Sequence, residues 1–179
     1  MKIMQDTDKP YNLKKIQAEA RCSLENAAIT TDYPLNIEKA CELLNEALAT
    51  EIMCVLRYRH HQIIAKGITS PEIAEIFMEH AVEEENHMLM IAERINQLGG
   101  DPDFNPATVN ARTATAYDSG KELLALIRED LIAERIVISI YRRLIEWFDK
   151  DSTTRRMLES ILEDEEEHAD ELGELLATV

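Results

Sequence analysis

Apolar residues recur at alternating intervals of three and four along four long stretches of this chain, and no stretch shows the period-two alternation of a half-buried strand. Leu44, Leu48, Glu51, Val55 and Tyr58 make the first seam, and Ile73, Phe77, His80, Glu84, His87 and Ile91 the second. The third runs through Ile127, Leu131, Glu134, Ile138, Tyr141, Ile145 and Phe148, and the fourth through Leu158, Ile161, Glu165, His168 and Leu172. That spacing keeps each set on one face of an α-helix, so it predicts four amphipathic helices.

Glycine and proline punctuate the pattern at Pro34, Gly67, Pro71, the cluster "GGDPDFNP" and Gly120. The first helix is expected to start at an Asn36 N-cap and stop before Gly67. The second has Ser70 as N-cap and Pro71 in its first turn, and stops at Gly99. A capping box from Ser119 to Glu122 opens the third, and the fourth begins near Asp151 or Ser152. Short connections make two antiparallel hairpins, and about 20 residues between them suffice to cross a bundle. The expected fold is therefore an all-α, up-down-down-up four-helix bundle with a long crossover between helices 2 and 3. It occupies residues 36–179, after an N-terminal extension of residues 1–35 with a weaker helical pattern at 10–30.

Each seam carries an ionisable group near its middle: Glu51, Glu84 with His87, Glu134, and Glu165 with His168. With only five histidines but many glutamates, one Glu-x-x-His pair is expected by accident; two, both on seams, are not. A buried, unpaired carboxylate costs several kcal/mol, and no Lys or Arg occupies these seam layers. A pair of divalent cations supplies the missing charge, with Glu oxygens and His nitrogens suited to iron, manganese or zinc. The halves also repeat: "TEIMCVLRY" aligns with "AERIVISIY", and Glu84/His87 with Glu165/His168, so each hairpin brings one Glu, one Glu-x-x-His and one Tyr to a pseudo-twofold centre.

Composition narrows the function classes. Thirty-five acidic against nineteen basic residues give a formal charge of −16, a surface that repels phosphate backbones and attracts cations. Residues 1–35 are neutral, with Lys2, Lys9, Lys14, Lys15 and Arg21 against Asp6, Asp8, Glu19, Glu25 and Asp32. No DNA partner is expected. Three cysteines without C-x-x-C spacing, no apolar leader and no apolar run longer than "MLMIA" point to a cytoplasmic protein that does not meet a membrane.

Through "TEIMCVLRYRHH", "EEENHMLMIAERI", "LGGDPDFNP", "EDLIAERI" and "EDEEEHADEL", residues 36–176 resemble the ferritin-like di-iron superfamily, and within it bacterioferritin and the bacterioferritin-like proteins grouped with the Dps miniferritins. The resemblance implies two iron ions per subunit on Glu51, Glu84, His87, Glu134, Glu165 and His168, with Glu84 and Glu165 bridging. It implies a redox tyrosine at Tyr58 and an aspartate, Asp130, that orients a ligand histidine. It further implies a ferroxidase that stores and detoxifies iron, oxidising Fe(II) with hydrogen peroxide or dioxygen. Glu85 stands where bacterioferritin has its haem-ligating Met, so no haem is expected. Only 11 residues follow His168, too few for the fifth helix of the large ferritins, so a dodecameric homo-oligomeric cage is expected, its dimers meeting at a short crossover helix.

Tyr141 and His80 are read as residues supporting the metal ligands. His60 and His61 lie near the end of the first helix, where the macrodipole favours a cation, and are assigned no function; Cys54 beside the seam is read as a small hydrophobe, and Trp147 and Phe148 as packing or subunit contact. In "EDEEEHADE" only Glu165 and His168 are expected to turn inward. Two other readings remain: a non-storing di-iron peroxidase or hydroxylase of rubrerythrin or quinone-hydroxylase type, which uses the same ligands, and a metal-free helical interaction module.

Overall fold

The computed structural model describes residues 9–67 and 70–178. Lys2, Asp6 and Asp8 of the extension and residues 68–69 of the first connection lie outside them. The described residues form α-helices and one 3-10 turn, without a strand. A short α1 (Leu13–Glu19) precedes α2 (Ile37–Gly67), α3 (Pro71–Gln97), the crossover helix α4 (Pro106–Arg112), α5 (Leu123–Trp147) and α6 (Ser152–Thr178).

Helix ends largely follow capping chemistry, the heads of α3 and α5 excepted. Asn36 Oδ1 accepts from the Lys39 amide at 2.7 Å, and Asp151 Oδ1 accepts from Thr153 and Thr154 at the head of α6. α3 opens on Pro71 with no capping bond from Ser70, and closes on Gly99 at φ 78°. There the Gly100 amide reaches back to Ile95 O and the Gly99 amide to Asn96 O, a Schellman ending that needs a residue tolerant of the left-handed conformation. Gly100 has a second constraint, since a Cβ would lie 2.6 Å from Cys41 Sγ. The expected capping box at the head of α5 is also absent. α5 begins at Leu123, after an uncapped Glu122, because Asp118 captures the Gly120 amide and holds residues 118–120 as a turn.

Pairings across the bundle fix its topology. From α2 to α5, Glu51 meets Tyr141, Tyr58 meets Glu134 and His61 meets Asp130, so rising numbers face falling ones. From α3 to α6, His80 meets Glu171, His87 meets Asp164 and Arg94 meets Asp151. Both pairs are antiparallel, as are the two hairpins, which gives the up-down-down-up order. The crossover docks on α2: the Asn45 side chain brackets Asp101 O and Asp103 N, Arg112 donates to Asn45 O, and Thr50 Oγ1 accepts from the Ala114 amide.

Apolar residues gather towards the two ends. One cluster includes Leu44, Leu48, Ile91, Ile95, Phe148, Leu158 and Ile161; the other includes Phe77, Leu126, Ile127 and Leu172. Burying each large apolar side chain contributes roughly 1.5–3 kcal/mol, which offsets the cost of the carboxylates between the clusters. Three seam positions differ from expectation: Val55, Leu131 and Ile145 are only half-buried, while the residue before each, Cys54, Asp130 or Leu144, is buried. At Val55 this is because the first seam takes its three-residue step after Glu51 and its four-residue step after Cys54.

Candidate metal centre

Four helices each send one carboxylate into the layer between the apolar ends. Glu51, Glu84, Glu134 and Glu165 are all fully buried, and His87 and His168 nearly so. The i, i+3 spacing places His87 beside Glu84 and His168 beside Glu165 on the inward face. The six side chains form two overlapping groups, Glu51/Glu84/His87/Glu165 and Glu84/Glu134/Glu165/His168, in each of which one donor atom per residue lies within 4.8 Å of the others. Glu84 and Glu165 belong to both groups, so their carboxylates stand between the two.

Within this layer the donor atoms are orphaned. Both oxygens of Glu84 and of Glu165, Oε2 of Glu51 and of Glu134, and Nδ1 of His87 and of His168 are buried without a hydrogen-bond partner. His87 Nδ1 lies 3.2 Å from Glu165, 3.6 Å from Glu84 and 3.7 Å from Glu51, and His168 Nδ1 lies 3.6 Å from Glu84. Buried polar atoms are almost always satisfied, so so many unsatisfied atoms aimed at one space fit cations better than any protein partner. The remaining oxygens are taken: Tyr58 donates its hydroxyl to Glu134 Oε1 and Tyr141 donates to Glu51 Oε1.

Proton affinities in the layer reflect the same crowding. Burial and the charge of Glu84 push Glu51 up to about 8, and burial with neighbouring carboxylates lifts Glu134 and, much further, Glu165. Burial opposes charge on the histidines, but the nearby carboxylates prevail, raising His168 to about 9 and His87 further. Glu84 is held low, burial being outweighed by His168 and His87. Tyr58 and Tyr141 lie far above the usual phenol range, through burial first and then Glu134 and Glu51 respectively, so both stay neutral donors. Without cations the layer therefore balances its charge with protons, which metal binding must displace.

Both imidazoles are oriented from outside the layer. His87 Nε2 lies 3.0 Å from Asp164 and His168 Nε2 lies 2.7 Å from Glu83. These two carboxylates are about half exposed; neither lies on a seam, and of the acidic run that holds Asp164 only Glu165 and His168 are expected inward. The signal was present: each stands immediately before a glutamate that both groups share. Each serves the histidine of the opposite helix, which a single-helix periodicity does not reveal.

Asp130 does not orient a ligand histidine. It is fully buried, accepting from Arg57 Nε at 2.8 Å and lying 2.7 Å from His61 Nδ1. His61 is thus a buried partner of Asp130, its Nε2 lying 3.2 Å from the Asp118 carbonyl. Arg57 is a buried cation near the layer, 5.8 Å from the Tyr58 ring. Its charge is matched by Asp130 and leaves the four glutamates uncompensated. His80 stacks on His168 at 4.0 Å between ring centroids, pairs with Glu171 at 2.9 Å and meets Tyr58 edge-on. Trp147 and Phe148 contact each other edge to face, with Phe148 buried in the core.

The ferritin-like domain family model matches residues 41–179. A nutrient stress-induced DNA-binding protein from a Synechococcus species is 32% identical over 141 residues, covering 76% of this chain and 80% of the relative. A bacterioferritin from Mycobacterium leprae is 31% identical over 137 residues, covering 75% and 82%. Among solved structures, a dodecameric thioferritin, the bacterioferritin-related protein from Bacteroides fragilis, aligns with a TM-score of 0.77 at 29% identity, over 80% of this chain and 88% of that one. No helix among the described residues is long and apolar enough to cross a membrane.

Proposed function

This chain belongs to the ferritin-like domain family, and from that premise we propose that it is a cage-forming ferroxidase that stores and detoxifies iron. Fe(II) is its substrate, held as a pair by Glu51, Glu84, His87, Glu134, Glu165 and His168. Hydrogen peroxide or dioxygen oxidises the pair, and Fe(III) passes to a mineral. One observation carries this reading: eight orphaned donor atoms on six buried side chains converge in two groups that share two carboxylates.

When bound, the pair supplies two electrons to one oxidant; peroxide with two protons leaves as two waters. The protein's part is to fix and charge-match the substrate. Glu84 and Glu165 hold the two positions together, Tyr58 and Tyr141 each occupy one oxygen of a terminal carboxylate, and Asp164 and Glu83 set the imidazole orientation. We assign the redox-assisting role to Tyr58, which contacts both Glu134 and the His80–His168 stack.

No haem is proposed: Glu85 is exposed, lies 3.6 Å from Arg59 and has no thioether to offer. A dodecamer is supported by the dodecameric relative and by the crossover helix found where dimers were expected to meet. DNA binding is not proposed despite the name of the Synechococcus relative, because a net charge of −16 opposes a polyanion; a mobility shift that survives about 0.15 M salt would overturn this. A cytoplasmic location is supported by three free cysteines.

Anaerobic Fe(II) titration, then air or peroxide, with particle mass measured before and after, tests the whole reading. Two Fe(II) per chain, rapid oxidation and a mineral-filled particle of twelve chains are expected. A stable dimer retaining only two irons per chain would replace storage with a non-storing di-iron peroxidase or hydroxylase.

A further inference from the structure

The pseudo-twofold that carries Glu51 onto Glu134 and Tyr58 onto Tyr141 fails one turn further out. The same offset along the chain carries Asp130 onto Ala47, Arg57 onto Ile140 and His61 onto Leu144. On the Tyr58 side, Arg57, Asp130 and His61 fill the space between α2, α5 and the crossover with a buried ion-paired network. On the Tyr141 side their apolar counterparts fill it incompletely, and a cavity of about 70 Å³ remains, walled on its apolar side by Ala47, Val137, Ile140 and Leu144 with Tyr141, and lined also by Glu46, Thr50 and Arg112. Tyr141 connects this cavity to the metal layer, since it lines the one and donates its hydroxyl to Glu51 in the other. The crossover closes another wall, where Arg112 is tied to Asn45 O and Ala114 to Thr50.

We propose that this cavity is the collecting site through which a small uncharged oxidant, dioxygen or hydrogen peroxide, reaches the metal pair from the Glu51 side, with Tyr141 as the gate. The proposal rests on the ferroxidase reading and adds the oxidant's route and its sidedness. A cavity of this size has room for small molecules, but not for a divalent cation carrying its octahedral water shell. Its lining carries one carboxylate, Glu46, against one guanidinium, Arg112, and so offers a divalent cation no net charge to replace that shell, while the apolar side formed by Ala47, Val137, Ile140 and Leu144 resembles cavities that take small guests such as xenon. Entry from the opposite side would require breaking the Arg57–Asp130 pair and exposing uncompensated buried charge. Beyond the gate the balance is simple: two electrons from the Fe(II) pair and two protons convert peroxide to two waters, or dioxygen to hydrogen peroxide.

The test uses the full chain with Ala47→Leu and, as a milder filling, Val137→Ile. Position 47 has a twofold counterpart holding aspartate, so the helix spacing there admits a side chain branched at the same atom as leucine. Anaerobic titration is followed by stopped-flow oxidation in separate air and peroxide arms. A several-fold slower oxidation in either arm with two Fe(II) per chain retained supports the route, and the affected arm identifies the oxidant. Unchanged rates in both arms overturn it. Wild-type protein that fails to bind two Fe(II) defeats the functional reading instead. Xenon-pressurised wild-type crystals give a check that needs neither iron nor a variant: density among Ala47, Val137 and Leu144 is expected, and its absence overturns the proposal.

Discussion

His168 is oriented by Glu83, a carboxylate of the opposite helix 2.7 Å from its Nε2, while its Nδ1 faces Glu84 and Glu165 without a hydrogen-bond partner. Asp164 does the same for His87 at 3.0 Å. Such carboxylate–histidine pairs fix the tautomer and raise ligand basicity. Glu83→Ala and Asp164→Ala are each expected to weaken Fe(II) binding by about 10–100-fold, read by anaerobic titration. Because both carboxylates are half exposed, thermal stability of the metal-free protein should change little; a large drop in melting temperature would mean that they hold the bundle together instead.

Glu84→Ala and Glu165→Ala each remove a carboxylate shared by both metal groups. Rapid Fe(II) oxidation is expected to vanish in stopped-flow assays. The metal-free variants should be at least as stable as the parent, since a buried carboxylate without a compensating cation is a net cost. Retention of the parental oxidation rate by either variant would remove the site assignment.

The raised proton affinities predict how the metal-free protein responds to pH. Glu51, raised to about 8, binds its proton more tightly folded than unfolded, so its contribution is present below the unfolded value near 4.5 and is lost as pH climbs through 8. His168, raised to about 9, contributes fully below its ordinary 6.5 and loses that contribution as pH rises through 9. Glu84 is shifted the other way, and its contribution is already complete above its ordinary value, so it adds no slope in this window. The melting temperature should therefore fall between pH 5 and pH 9. Saturating Mn(II), which takes the place of the protons, should flatten or reverse that fall. Calorimetry across the range decides it, and a metal-free melting temperature that rises with pH would contradict the assigned shifts.

Asp151 caps α6, pairs with Arg94 at 2.9 Å and accepts from Tyr33, tying the N-terminal segment to the ends of α3 and α6. Asp151→Ala leaves a largely buried guanidinium without its anion and is expected to cost about 3 kcal/mol in urea denaturation. Asp151→Asn keeps the Oδ1 cap but loses the ion pair and the Oδ2 acceptor of the Tyr33 and Thr154 hydroxyls, so it should fall between the parent and Asp151→Ala. Equal stability of all three would show that the network contributes nothing.

Much of this protein was determined by local pattern. The four seams, the Asn36 and Asp151 caps, the Gly99 ending and the six inward-facing Glu and His side chains were legible in local sequence pattern, and the structure gathers all six side chains in one layer. Local pattern failed where a neighbour in space competes. Ser119 and Glu122 do not cap α5 because Asp118 takes the Gly120 amide and its carbonyl meets His61 from α2. Asp130 turned from the ligand histidines because Arg57 and His61 reach it from α2, and Asp164 and Glu83 took its place across the α3–α6 seam. Periodicity assigns a residue to a face of its own helix. Which residue stands opposite, and whether the pair fills its space as Arg57 and Asp130 do or leaves a cavity as Ile140 and Ala47 do, depends on helix register and packing, which only the assembled bundle decides.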